Sequence, residues 1–225
     1  MGLGPRGLIL LERLCAGAAA DPGRGPVTVH AVDPAPPGAG RVWRTDQSPH
    51  LLMNTVAEQI TVFTDASVVC EGPVVPGPNV YEWAGLLTAA SRDAPGPDIG
   101  PGSEHPDAGS PGSEHPGSEH PGSEYPGSEY PREVLREARE LGPNSYPTRA
   151  FYGHYLRWAY RRTVRTAPPH VTVHLHQDTA VALEELDGRQ LLRLARCPPA
   201  RAGSSSTTRR RRPPRPRRPG AVAAR

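Results

Sequence analysis

The chain has 225 residues, room for one ordinary domain with an appendage, but its 29 prolines and 24 glycines exclude uniform packing along the whole length. Its 26 basic residues are all arginine, and ten of them lie in residues 196–225 with no acid, so the net charge of +3 belongs to the tail and does not argue for nucleic-acid binding by the fold. No apolar run approaches the ~18 residues of a membrane span, no signal peptide is recognisable, and Cys15, Cys70 and Cys197 are too scattered and too odd in number for a disulfide framework; reduced thiols in a cytoplasm are expected.

The chain opens on Gly2-Leu3-Gly4-Pro5-Arg6-Gly7, a G-x-G-x-x-G turn. Such a turn joins a strand to a helix whose N-terminus holds a dinucleotide pyrophosphate. The first glycine makes the turn, the second admits the phosphate, and the third lets helix pack on strand. No strand precedes Gly2 in this sequence, so a partial copy of the unit is expected.

The next elements keep the order of a dinucleotide-binding half-domain. Leu8 to Ala20 reads as a helix with Leu10, Leu11 and Leu14 as its apolar stripe. The turn cluster 21–26 stops it. Val27 to Val32 is β-branched and reads as a parallel strand ending in Asp33, placed to hydrogen-bond a ribose hydroxyl. A flexible glycine-rich start before an ordinary αβ unit would explain the glycines but not Asp33.

Residues 91–130 are low complexity. PGSEH occurs at 101–105, 111–115 and 116–120, and PGSEY at 121–125 and 126–130. Proline every five residues without aliphatic side chains builds no core, so this is expected to be a disordered insertion. His105, His115 and His120 are weak metal ligands on such a chain, and no metal site is expected.

Residues 131–195 regain pattern. Pro131 to Leu141 reads as a charged helix stopped by Gly142-Pro143. Pro147 to Thr166 holds a stronger helix, with Phe151, Tyr155, Trp158 and Ala159 on one face and Arg157, Arg161, Arg162 and Arg165 on the other. Val171 to His176 alternates as a strand, with His174 and His176 on one face and no third ligand identifiable. Two more strands, 179–183 and 190–194, flank the turn at 186–189. The tail, residues 196–225, shows no apolar periodicity and is expected to be disordered. Out-of-frame reading of GC-rich coding sequence gives such an abrupt shift; a genuine arginine-rich arm would instead bind phosphates without sequence preference.

Three stretches together are more specific than the opening turn alone: residues 2–7, PPGAGRVWRTDQS at 36–48, and LLMNT at 51–55. They resemble the actinobacterial FAD/NAD(P)-binding family that includes flavin-dependent urate hydroxylase and aspartate N-monooxygenase. The resemblance covers roughly residues 1–90 and 131–195. It implies an α/β fold with a partial Rossmann-like FAD-binding domain, FAD as cofactor and NAD(P)H as reductant. It places Gly2, Gly4, Pro5, Arg6 and Gly7 at the pyrophosphate and Asp33 at the ribose. Arg41, Val42, Trp43, Asn54 and Thr55 fall at the flavin end, and Val181 near the adenine. An aromatic such as Trp43 can wall off a flat ring, although simple core packing explains it equally. No catalytic acid, base or nucleophile stands out.

The chain departs from the family in lacking the first strand, a second dinucleotide motif and the late strand that closes over the cofactor. The expected organisation is therefore 1–90 and 131–195 as the FAD-binding part, 91–130 as insertion and 196–225 as tail. The expected function is an FAD-dependent, monooxygenase-like oxidoreductase acting on a small molecule. An inactive family remnant and an arginine-tail nucleic-acid binder are the alternatives.

Overall fold

The structure, a computed structural model, describes residues 2–93, 130–195 and 220–223. The pentapeptide repeat, except for Tyr130, and most of the arginine run lie outside the described residues. The chain divides into two compact units: residues 1–53, 61–77 and 148–225, and residues 54–60 and 78–147.

The first unit begins with α1, Pro5–Ala20. The helix starts three residues before the leucine run because Gly4 takes the extended N-cap conformation and Pro5, with its preset φ, fits the first turn. Its buried face is Leu8, Leu11, Cys15 and Ala18, a spacing of three, four and three. Of the expected stripe only Leu11 is buried. Leu10 and Leu14 are 49% and 41% exposed, being a third of a turn from that face. Glu12 is buried on α1, and the Arg13 guanidinium neutralises it at 2.6 and 2.8 Å while donating to the Pro73 carbonyl at 2.6 Å.

Strand β1, Val27–Val32, pairs in parallel with β2, Val171–His176, in the register Val27↔Val171 through Val32↔His176. Parallel strands need a long crossover, and the last part of this one is a helix, Arg149–Arg165. Its N-cap is Thr148, whose hydroxyl accepts from the Phe151 N–H at 3.1 Å. One sheet face packs against the two helices. Leu3, Leu11, Cys15, Val29 and Ala31 form the buried cluster, with Val27, Tyr160, Val164, Val171, Val173 and Leu175 packed against it. As expected, Phe151, Tyr155 and Ala159 are buried and Arg161 and Arg165 are exposed. The Arg162 guanidinium departs from a solvated row by covering the rings of Phe63 and Trp158, at 6.0 and 5.7 Å.

An antiparallel sheet follows: β3, Thr179–Leu186, and β4, Arg189–Ala195, joined by a turn in which Asp187 and Gly188 both have positive φ, as two-residue hairpins favour. A third strand, β5, Gly220–Ala223, pairs with β4. This corrects the expectation of a strand-free tail. Gly-Ala-Val-Ala is free of proline, so no N–H that the open edge of β4 needs is missing.

The second unit contains two helices missing from or shortened in the sequence reading. Val80–Asp93, taken here as α2, was unforeseen, yet its start carries a capping box. Asn79 Oδ1 accepts from the Glu82 N–H at 2.8 Å, and Glu82 Oε2 accepts from the Asn79 N–H at 2.9 Å. The next helix, α3, is Arg132–Glu140, so Arg149–Arg165 is α4. Trp83 is fully buried with Tyr130 edge-on at 5.7 Å, and Val134 and Ala138 are buried on α3.

Burial gives α4 a pH-sensitive group. Desolvation first, then Arg157 and Arg161, push the His154 imidazole down from 6.5 to about 4. Between those values the unfolded chain binds a proton that the folded chain does not, so stability present above pH 6.5 is lost as pH falls. The expected loss at pH 5 is roughly 1 kcal/mol, allowing for the part of the ring left in water. Urea unfolding from pH 7.5 to 4.5 measures it. The slope with pH should flatten in His154→Gln, and an unchanged slope would assign the loss to other groups.

Candidate functional site

The opening turn folds back onto the end of β1. Asp33 Oδ2 accepts from the Leu3 N–H at 2.9 Å, and Oδ1 accepts from the Ala35 N–H at 2.9 Å. One carboxylate thus holds both the glycine turn and the chain leaving the strand. Each oxygen retains a lone pair, so the group can still accept from a hydroxyl.

Two backbone approaches and one side-chain approach bear on the glycines, while a Cβ on Gly4 would meet nothing within 4 Å. A Cβ on Gly7 would overlap the Gly2 carbonyl, which is how α1 closes onto the turn. A Cβ on Gly2 would meet Asp33 Oδ2 at 3.3 Å. Gly40, at φ +61°, lies with its Cβ position 3.1 Å from the Gly4 Cα. Beside it the Gly38 N–H donates to the Leu3 carbonyl at 2.7 Å. Two glycine segments distant in sequence, 2–7 and 38–40, therefore lie backbone against backbone.

The N-terminus of α1 opens from the first of these segments without a side-chain cap and without an acid in its first turn. The N–H groups of that turn and the positive end of the helix dipole remain available to an anion. The bare turn, the paired glycine segments and a carboxylate with spare acceptor capacity fit the pyrophosphate and ribose of a dinucleotide.

Trp43 lies in the loop after Gly40. Its indole is edge-on to Tyr152 at 5.0 Å, and the Arg149 guanidinium covers it at 5.6 Å. A Cβ on Gly153 would overlap the Trp43 carbonyl, so α4 packs directly on this loop. The loop is tied down further by the Arg149 N–H, which donates to the Leu51 carbonyl at 2.8 Å. Gln47 Nε2 donates to the carbonyls of Val42 and Arg44 at 2.8 and 3.0 Å. Burial pushes the Tyr152 hydroxyl up to about 12, so it stays protonated against the indole.

Gly2, Gly4, Pro5, Arg6, Gly7 and Asp33 are brought together. Arg41 and Val42 are exposed on the loop that leaves the second glycine segment, and Trp43 is half-buried beside them. Asn54 and Thr55 fall in the second unit. Val181 lies on β3, 54% exposed, at a register break: Ala180 pairs with Leu194 and Ala182 with Arg193, so Val181 has no partner in the ladder. The resemblance already pointed to the G-x-G-x-V-W loop that holds Gly38 and Gly40. Leu3, Ala35, Arg149, Tyr152 and Gly153 were not singled out by the sequence, since they act through backbone groups or packing that no motif encodes.

Residues 1–204 match the family described as FAD-NAD(P)-binding. L-aspartate N-monooxygenase (nitrosuccinate-forming) of Streptomyces davaonensis is 50% identical over 185 residues, which is 82% of this chain and 23% of that protein. The Streptomyces cremeus protein of the same name is 48% identical over 185 residues, again 82% of this chain and 23% of the relative. Nitrosuccinic acid synthase of Aspergillus oryzae is 44% identical over 198 residues, 87% of this chain and 23% of the relative. The chain thus spans about a quarter of the length of these relatives.

Removing the shared carboxylate tests the geometry directly. Asp33→Ala leaves two backbone donors without their acceptor and is expected to cost about 1–3 kcal/mol. Gly7→Ala is expected to cost at least as much, because its obstacle is backbone rather than a movable side chain. Urea midpoints for the two variants check this, and neutral effects in both would show that neither contact holds the turn.

Proposed function

The chain belongs to the FAD-NAD(P)-binding family, and from that premise we propose that it is the dinucleotide-binding part of an FAD-dependent, NAD(P)H-consuming monooxygenase acting on a small amino acid. The observation that carries the reading is the Asp33 carboxylate locked to Leu3 beneath a glycine turn at a bare helix N-terminus. The substrate class follows from the relatives, two of which are named for N-oxygenation of L-aspartate.

FAD, when bound, would supply the electron transfer from a reduced nicotinamide to oxygen. The chain's own residues bind and orient. The backbone of Gly2, Gly4, Pro5, Arg6 and Gly7 would cradle the pyrophosphate, with the α1 dipole favouring its charge. Asp33 would accept from the ribose while keeping its two backbone donors. Arg41, Val42 and Trp43 are assigned to the flavin end. There Arg149 and Tyr152 fix the Trp43 indole so that it offers a rigid apolar wall. Val181, out of the ladder at the β3 bulge, would offer its backbone to the adenine edge.

The half-site is Rossmann-like in plan: turn, helix, strand and terminal acid, with a parallel partner strand. We assign residues 1–90 and 131–195 to this part, 91–130 to an insertion and 196–225 to an appended tail. Among the described residues no helix is long and apolar enough to cross a membrane. We place the protein in the cytoplasm, with Cys15 and Cys70 as thiols.

Purified chain incubated with FAD and then desalted should retain a visible flavin spectrum. Asp33→Ala should lose it, with a drop in FAD affinity of about tenfold or more. A colourless wild-type protein would overturn the cofactor assignment for this chain. Retention equal in wild type and variant would overturn the role given to Asp33.

A further inference from the structure

The sheet face opposite the helices carries three histidines that the proposed cofactor site does not use. Val29, Ala31, Val171, Val173 and Leu175 point to the core, so the alternate residues His30, His174 and His176 share the other face. Parallel register sets His30 directly opposite His174 and one step from His176. The His30 and His174 rings stack at 5.2 Å with 17° between planes. His30 Nδ1 and His176 Nε2 meet head-on at 3.0 Å, a ring-to-ring hydrogen bond that ties β1 to β2.

That bond tolerates a limited number of protons. With both rings neutral, one ring's N–H donates to the other's lone pair. A first added proton goes to the outward nitrogen of the donor ring, and the imidazolium then donates across the contact more strongly. A second must take the shared lone pair itself. Two N–H groups then face each other across a gap that held one, and two cations lie side by side. Few other charges intervene. The carboxylates flanking the pair along the chain are engaged, Asp33 by Leu3 and Ala35, and Asp178 by the Thr179 N–H at 2.7 Å. Glu12 and Arg13 of α1, and Arg157, Arg161 and Arg165 of α4, belong to the helices on the opposite face. Desolvation first, then the charges of His174 and His176, hold the His30 imidazole below its ordinary value.

His176 also supports the carboxylate site. Its carbonyl accepts from the Asp33 N–H at 3.1 Å, and Asp33 in turn grips Leu3. From this juxtaposition we propose that His30 and His176 form a proton-counting clasp on the Asp33 end of the β1–β2 seam, closed with one positive charge or none and open with two. Its consequence, weaker dinucleotide binding in acid, rests on the cofactor reading above; the clasp itself does not. Below pH 6.5 the unfolded chain takes up a proton at His30 that the closed seam resists, so stability present above that value is lost as pH falls. His154 acts in the same direction through α4, so the test compares the two ends of the seam.

The test is amide hydrogen exchange of the full chain, read by NMR from pH 7.5 to 5.0. The Asp33 N–H bonds to the His176 carbonyl at the clasp end, and the Val27 N–H bonds to the His170 carbonyl at the other. The ratio of their protection cancels whole-molecule effects such as that of His154. In wild type the ratio of Asp33 to Val27 protection should fall by about threefold or more as pH drops. His30→Asn and His176→Gln place an amide where the ring nitrogen stood, and an amide can donate or accept without charge. Both variants should hold the ratio level, whereas His174→Asn should keep the fall. Far-UV circular dichroism matching wild type shows that the variants fold. A level ratio in wild type, or an equal fall in wild type and both clasp variants, overturns the proposal. FAD affinity should weaken over the same range in wild type and stay level in His30→Asn. FAD that binds at no pH overturns the cofactor reading, and the exchange ratio still decides the clasp.

Discussion

The Asp33 carboxylate is the constraint on which the site depends. Its two oxygens take the N–H groups of Leu3 and Ala35, so one side chain fixes the start of the chain and the exit of β1 against each other. Charge-assisted bonds of this kind are stronger than neutral ones, and here both donors are backbone, which leaves little freedom. Leu3, fully buried, then anchors the turn in the core that α1, α4 and the sheet share. Binding chemistry and folding thus run through the same residue, and the group that would meet a ribose is already positioned before any ligand arrives.

Close backbone contact is the second theme. Gly7 on Gly2, Gly40 on Gly4, Gly38 on the Leu156 carbonyl and Gly153 on the Trp43 carbonyl are close approaches: three leave no room for a Cβ, and at Gly40 one would lie 3.1 Å from the Gly4 Cα. The first pair closes the turn, the second joins the two glycine segments, and the last two seat this part of the chain on α4. Helix α4 is therefore a platform rather than a bystander. It carries Tyr152 and Arg149 to the Trp43 indole and buries Phe151, Tyr155 and Leu156 beneath it. An aromatic face that reads as core in the sequence is core, and its rim also supports the loop after Gly40.

Legibility followed the range of the interaction. Local signals read well: β1 and β2 fall where their β-branched runs placed them, and α4 ends before Pro168-Pro169 as expected. Where local cues were overlooked rather than absent, as with the Asn79–Glu82 box, a helix was missed. On α1 the stripe expected at Leu10, Leu11 and Leu14 gives way to Leu8, Leu11, Cys15 and Ala18. Burial is decided by the facing surface, here Val29 and Ala31, and not by the largest side chains in the window.

The sequence by itself determined the chemistry on offer: a glycine turn opening a helix, an acid closing the next strand, a second glycine pair and an indole after it. Those features depend on backbone conformation and short spacing, which residue identity sets directly. Tertiary structure decided what stands beside what. That Asp33 grips Leu3, that Arg149 covers Trp43, and that His30 meets His176 nitrogen to nitrogen all follow from folding segments 30 to 146 residues apart onto one another. The choice of partner strand and its register carry no signature in either strand alone, because the register is fixed by which faces the two strands bury together against α1 and α4.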